Sequence, residues 1–466
     1  MTDAAFMNIS ETPEASIAKP WKIPVNCLRD WQLGISAAVR MGSVIALTGC
    51  FAISLSNPPA LAQIIPDTTL GAEGSVVTPN SQVRELPAEL IEGGATRGAN
   101  LFHSFQEFSV GNGQRVYFAN PAGIENILTR VTGNNLSTIL GTLGVDGGAN
   151  LFLLNPNGII FGPNARLDIA GSFVASTADS VVFNNGYRFS AKNPEAPPLL
   201  TISVTPGLQY GTNQPRATIT NSGNLTVGQN LTLSAGNLDL QGQLQAGGDL
   251  TLFAQDTVKA RDSVAHPFIA SSGGQLLIQG EHIDIFALNH PNSGLFSGED
   301  MMLRSANTIG GDTHYWSGGS FRIEQLDKSL GDLSSPHDPI ILANGDVSLG
   351  DYAGASIHIL AGGSVTLGNV EITLTDSENN TINPNNSDPF LASLATVPLS
   401  DGTTFTIDGS ARPTLDVRAG IDWTTLFPAG ILGTTIIGTV TPSSTSLEAT
   451  SADITVNGNI RVFEPN

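Results

Sequence analysis

Cysteine is almost absent: the 466-residue chain has two, Cys27 and Cys50, both before residue 62. No disulfide framework can hold the remainder, which must rely on packing and backbone ladders. Cations are scarce too, 20 Lys and Arg against 41 Asp and Glu, for a formal charge of −21. A phosphate backbone needs clustered cations, so this balance argues against a nucleic-acid partner. Only 13% of residues are charged and 6% aromatic, while 40% are hydrophobic. That is too apolar for wholesale disorder and too poor in Lys, Glu and Ala runs for a helical bundle. The longest apolar run, Met41 to Leu55, falls short of the about eighteen residues a membrane-spanning helix needs.

What the chain has in quantity is Gly, 51 residues, and Pro, 27. From about residue 70 onward, Gly, Asn, Thr and short apolar triplets recur without a change of texture. Uniform texture over so long a stretch is what a stacked repeat produces, so one rod is expected rather than several globules.

Residues 1–62 read differently. Lys19, Lys22, Arg29 and Arg40 precede the apolar run, and Ser56-Asn57-Pro58-Pro59 leads into Ala60-Leu61-Ala62. A basic stretch, an apolar core and small residues at −3 and −1 make a secretory signal peptide with a long leading extension. Cleavage after Ala62 leaves Gln63 first and removes both cysteines. A cysteine-free chain can also stay unfolded in an oxidising periplasm without forming wrong bridges. The rival is a lipoprotein signal at Leu47-Thr48-Gly49-Cys50. Against it, apolar text continues through Phe51-Ala52-Ile53-Ser54-Leu55 and an Ala-x-Ala site follows.

The repeat is clearest in GQNLTL at Gly228 and GGDLTL at Gly247. It returns in GGQLLI at Gly273, GEDMML at Gly298, GGSFRI at Gly318, NGDVSL at Asn344, GASIHI at Gly354 and GGSVTL at Gly362. Apolar-x-apolar triplets alternate faces as strands do, and Gly before each is expected to supply positive φ at a corner. Short strands and corners every 18–26 residues describe an all-β parallel β-helix. At about 22 residues per coil, roughly 18 coils and a rod on the order of 85 Å are expected. A β-sandwich is the rival, with longer strands and a less regular period. Residues Thr375 to Pro389 (TDSENNTINPNNSDP) break the texture and read as an extruded polar loop.

The most informative text lies at 97–177. Asn155-Pro156-Asn157-Gly158 suits a tight turn at each position, between Phe152-Leu153-Leu154 and Ile159-Ile160-Phe161. On its own residues it is a rigid corner and nothing more. Upstream stand G-x-N-L-F-H-S-F-x-x-F at Gly98–Phe108 and R-V-T-G at Arg130–Gly133.

Together these blocks resemble the N-terminal secretion domain of the filamentous haemagglutinin family, the exported partners of two-partner secretion systems. The resemblance runs from about Pro66 to Gln209, and its wording is similar to the cyanobacterial branch. It implies a right-handed parallel β-helix with an N-terminal capping region. It also implies export through an outer-membrane barrel transporter with periplasmic POTRA domains, the chain crossing unfolded and folding outside. Asn155, Pro156, Asn157, Gly158 and Ile159 match the secretion-domain motif. An earlier NPNL motif of the family is only half present, because Asn120-Pro121 is followed by Ala122-Gly123. The expected organisation is a signal peptide at 1–62, a secretion domain at 63–210, and continuing β-helix at 211–466 with the polar loop at 375–389.

Parallel β-helices also host polysaccharide lyases and glycosidases, whose chemistry needs paired carboxylates or a base beside metal-binding acids. Candidates are Glu281, His282 and Asp284, with His290 nearby; His314, His337 and His358 read as scattered singly. None has zinc-site spacing, and no nucleophile elbow or P-loop occurs. No cofactor or metal is implied, and solvated outer-face positions are the simpler account. The expected function is therefore an adhesin-like exoprotein, secreted or at the cell surface. A cell-surface glycan or a host or neighbouring cell is the expected partner, reached by many weak contacts. A secreted polysaccharide-acting enzyme is the alternative.

Overall fold

In the computed structural model, the described residues are 63–198, 207–209, 217–376, 381–399, 401–421, 423 and 452–463. The expected signal segment, with Ala60 and Ala62, lies outside them; Gln63 opens the first described strand, Gln63–Pro66. Among the described residues no helix is long and apolar enough to cross a membrane.

The triplets read from the sequence line up as one sheet. Leu231, Leu250, Leu276, Met301, Phe321, Val347, Val365 and Ile454 pair in sequence order, each in parallel register with the next. The seven before Ile454 are completely buried. This first sheet has 14 strands. Each turn of chain then visits a second, 11-stranded sheet and a third face before returning, as in Leu231–Ala235, Asn237–Leu240, Gln243–Ala246 and Leu250–Ala254. The result is a three-sided parallel β-helix with a continuous apolar interior. GASIHI is the exception, because Ile357–Ala361 belongs to the third face.

The third face is built in two pieces. A five-stranded sheet ends at Arg166–Asp168, and an eight-stranded one starts at Asn224–Val227. Over the first coils lies an antiparallel cap: Gln63–Pro66 and Ala95–Arg97 pair with Asn100–Ser109, and Ser75–Val83 forms a hairpin with Leu86–Gly93. A sheet edge covered in this way cannot recruit further strands.

Twelve strands of the first sheet, Asn100–Ser109 through Ile454–Val456, stack in parallel, fewer than the roughly 18 coils expected from length. At ~4.8 Å per strand they span about 50 Å. Two excursions leave the stack. Residues 177–198 contribute an antiparallel hairpin, Ser180–Val182 with Arg188–Ser190. It packs Val181, Phe183 and Phe189 onto the outward side chains Phe102, Leu128 and Leu154 of the first sheet. Residues 373–376, 381–399 and 401–414 leave the stack between Val370–Ile372 and Leu415–Arg418. The polar text at 375–389 sits here, but it leads into a short helix, Pro389–Leu394, capped by the Asp388 carboxylate. That helix packs Phe390, Leu391 and Leu394 against Phe296, Trp316 and Leu342 on the outer side of the third face.

The corner glycines work differently from expectation. Gly228, Gly247, Gly298 and Gly318 do not have positive φ. They are needed because coils stack glycine on glycine: a Cβ on Gly247 would sit 2.1 Å from the Gly228 carbonyl oxygen. The third residue of each repeat forms a ladder. Asn230 Oδ1 accepts from the Asp249 N–H at 2.9 Å, and Asp249 Oδ1 accepts from the Gln275 N–H at 2.9 Å. A second run of the same kind passes through Asp300, Ser320, Asp346 and Ser364 to the Asp453 N–H. Acidic and neutral side chains alternate along this ladder, so like charges stand two strands, about 10 Å, apart, near one Debye length at physiological salt.

Candidate functional site in the first coils

Asn155–Gly158 is the corner between the first and second sheets. The Gly158 N–H donates to the Asn155 carbonyl at 3.2 Å, closing the turn, and Gly158 has φ +125°. Asn155 is fully buried and ties the corner to the preceding coil. Its Nδ2 donates to the Asn135 carbonyl and to Ser137 Oγ, each at 3.0 Å, while its Oδ1 accepts from the Asn157 N–H. Asn157 adds a bond to the Gly133 carbonyl at 2.8 Å. Ile159 then drops into the interior, in register with Ser137 and Ile219. The half-matched corner works in the opposite direction: Asn120 Oδ1 accepts from the Gly148 and Ala149 N–H groups of the following coil.

The R-V-T-G block has a role for each residue. Arg130 is completely buried and faces outward, in register with Ser104 and Leu154. Its guanidinium donates to Thr69 Oγ1 at 2.7 Å, to Ser104 Oγ at 2.9 Å, and to the Ser190 and Glu195 carbonyls. It stacks on Phe189, 4.4 Å from the ring centre. One side chain thereby joins the cap, the first coil and the first excursion. Burial pushes its pKa down to about 10. Val131 is core, and Thr132 donates to Asp67 Oδ2 at 2.6 Å. A Cβ on Gly133 would meet the Gln106 carbonyl at 2.1 Å. Burial raises the Asp67 carboxyl, but hydrogen bonds from Thr132, Thr69 and Ser104 outweigh it and hold the pKa below its ordinary value. Asp67 and Thr69 escaped the sequence reading, since no spacing connects them with Arg130. Beside this network His103 lies inside the cap core, bonded to Ser75 Oγ, and burial takes its pKa down to about 3.

The candidate enzyme residues are not brought together. Glu281, His282 and Asp284 are exposed on the second sheet. Asp284 pairs with Arg261 and stands in register with Lys259, which follows Asp239. Charges of opposite sign thus neighbour one another on that face. His290 is a turn residue whose N–H donates to Asp262. His337 contacts Asp312 at 3.1 Å. His314 and His358 are buried and share a column on the third face. Two shallow grooves, of about 460 and 420 Å3, each hold one carboxylate. Asp168 in the first is engaged by Arg84 and by the Tyr117 hydroxyl, and Asp262 in the second accepts from Asn289 and Ser293. Among the described residues no group of three or more His, Cys, Asp or Glu could hold a metal ion.

Residues 62–323 match a family model described as the TPS secretion domain. The heme/hemopexin-binding protein of Haemophilus influenzae is 34% identical over 93 residues, which is 19% of this chain and 10% of that protein. The matched stretch thus spans about a tenth of that relative's length. The crystal structure of the HMW1 secretion domain from Haemophilus influenzae is similar with a TM-score of 0.41 at 16% identity, covering 65% of this chain and 96% of that one. The filamentous hemagglutinin secretion domain gives 0.32 at 19% identity, covering 67% and 95%.

Proposed function

This chain belongs to the TPS secretion domain family, and on that premise we propose that it is an adhesin-like exoprotein, retained at the cell surface or released from it. Membership implies two-partner secretion across an outer membrane by a dedicated partner transporter. That partner is read as a barrel with periplasmic POTRA domains, and the cyanobacterial assignment rests on the wording of 97–177 alone.

The observation that carries the adhesin reading is the regular parallel stack itself. The outer face of its second sheet bears neighbouring charges of opposite sign at Asp239, Lys259, Arg261 and Asp284 rather than a convergent catalytic group, and repeated weak sites on such a face gain by multivalency. A cell-surface glycan or a neighbouring cell is the partner class. Asn155–Ile159 is read as a structural corner of the secretion domain, with Asn120 and Pro121 as its weaker counterpart. The division at residue 210 is supported by the cap, the first excursion and the break in the third face; the family match runs on to residue 323.

The deciding experiment is an intact mass of the protein in medium and membrane fractions, with and without the partner barrel. Release of a chain beginning at Gln63, lost when the barrel is absent, is expected. A lipidated chain beginning at Cys50, or release indifferent to the barrel, would overturn the export route. Binding of the released protein to whole cells and to purified surface glycans then tests adhesion. The enzyme alternative has one feature in its favour, His282 and Asp284 on one exposed strand face beside Arg261. Glycan cleavage by the released protein that disappears on joint replacement of His282 and Asp284, with export unchanged, would establish it instead.

A further inference from the structure

The second excursion covers an apolar outer face, and the seam beneath it is titratable. His314, Ile340, His358 and Asp416 form one in-register column of the third face. His358 Nδ1 lies 3.2 Å from Asp416 Oδ2, and its Nε2 lies 3.4 Å from Thr381 Oγ1 of the excursion. Gly409, also of the excursion, approaches so closely that a Cβ there would sit 2.6 Å from His358 Nε2. His314 Nε2 is 3.4 Å from Asp338 Oδ2. The other charged or titratable groups facing His314 are Asp376 and Asp388 from the excursion and His358 from its own sheet. Arg418 pairs with Asp416 at 2.7 Å, and its guanidinium also donates to the Leu394 carbonyl at the end of the short helix. Around this seam the contact is apolar, with the Phe390 ring tilted against Trp316 at 5.2 Å between centroids.

We propose that the excursion is an acid-released strap: when His314 takes up a proton the strap lifts from the outer face, while the β-helix beneath it stays folded. The released face would present Phe296, Trp316, Leu342 and Leu360. Nothing in the interior of the stack depends on the strap, because the inward side chains of the same strands belong to a separate apolar cluster.

The direction of the effect follows from linkage. Burial takes His314 from the ordinary 6.5 down to about 4, against the opposing pull of Asp376 and Asp388. The closed form therefore binds the proton less tightly than the open one. Closure is fully favoured well above pH 6.5 and is weakened progressively as pH falls, by roughly 80-fold between pH 6.5 and 4.

The test is hydrogen exchange of the full chain followed by mass spectrometry between pH 7.5 and 4.5, each point normalised to the denatured chain. Peptides from 381–398 and 404–414 are expected to lose protection by roughly 30-fold between pH 7.5 and 5, while peptides from 250–303 keep theirs. In His314→Gln the strap peptides are expected to stay protected at pH 5. Three results would overturn the proposal: strap and sheet peptides losing protection together, strap peptides staying protected at pH 4.5, or His314→Gln opening at the wild-type pH. If His314→Gln does not fold at pH 7.5, the wild-type comparison of strap against sheet decides alone.

Discussion

At the scale of single residues, the stack is held by atoms that are missing as much as by atoms that are present. Gly247 lies where a Cβ would meet backbone that cannot swing away, whereas a Cβ on Gly148 would meet nothing within 4 Å. Gly247→Ala is therefore expected to destabilise by about 1–3 kcal/mol or more, as overpacking does, and Gly148→Ala to stay within about 0.5 kcal/mol. Urea midpoints of the two variants check this; equal effects would mean that the close approach is relaxed at little cost. Arg130 presents the opposite case. Arg130→Ala leaves the buried Ser104 hydroxyl, the half-buried Thr69 hydroxyl and the Ser190 carbonyl without their Arg130 donor. A loss of about 3 kcal/mol or more is expected, from several charge-assisted bonds at once. Proteolysis of the 177–198 excursion should rise with it, because the guanidinium is one of two, with Arg97, that fasten that segment to the cap.

Among elements, legibility followed periodicity. The first sheet could be read from the sequence because its triplets are inward-facing and follow glycines at spacings of 18 to 26 residues. The corner at Asn155–Gly158 was legible for a different reason, since each of its four residues suits its place in a tight turn between apolar triplets. The buried histidine column could not be read that way. Positions 314, 340, 358 and 416 are 26, 18 and 58 residues apart, and the last interval contains the whole second excursion. Nor did the polar composition of 375–389 reveal that Phe390, Leu391 and Leu394 follow it as an apolar patch; a six-residue helix is too short to produce a period. The glycine role was misjudged for a related reason, since a close approach between coils is a long-range fact that one coil's sequence does not carry. The strap makes an element-scale prediction that follows from this packing. Phe390→Ala should cost about 3–5 kcal/mol of local stability. Faster proteolysis within 381–399 is expected, with little change in the chemical unfolding of the stack, because the outer apolar cluster and the interior one are separate. A matching fall in the stability of the stack would mean that the two clusters unfold as one.

For the molecule as a whole, nearest-neighbour stacking makes stability a sum of coil-to-coil contacts, so the two ends can respond differently to one change of solvent. Acid is the change to which both ends are exposed. At the cap, His103 is buried against Phe105 and Phe118, and its pKa is pushed down to about 3. At the far end, His314 is pushed down to about 4. Both folded values lie below the ordinary 6.5, so the unfolded chain binds more protons between them, and stability falls as pH drops through that interval. By pH 5 each histidine is expected to have withdrawn about 2 kcal/mol from its own region. The carboxylates act in the same direction at lower pH, because Asp67 and Asp416 are held below their ordinary values by hydrogen bonds that outweigh burial. Their contribution is present above about pH 4 and disappears below it. An exoprotein built in this way should therefore loosen first at its cap and strap and last in the repeats between, where no buried histidine is found among residues 217–297. Hydrogen exchange at pH 7 and pH 5 in His103→Gln checks this. Protection over 86–110 should become insensitive to pH while the strap keeps its acid response, and coupled behaviour of the two ends would show that the stack transmits the change.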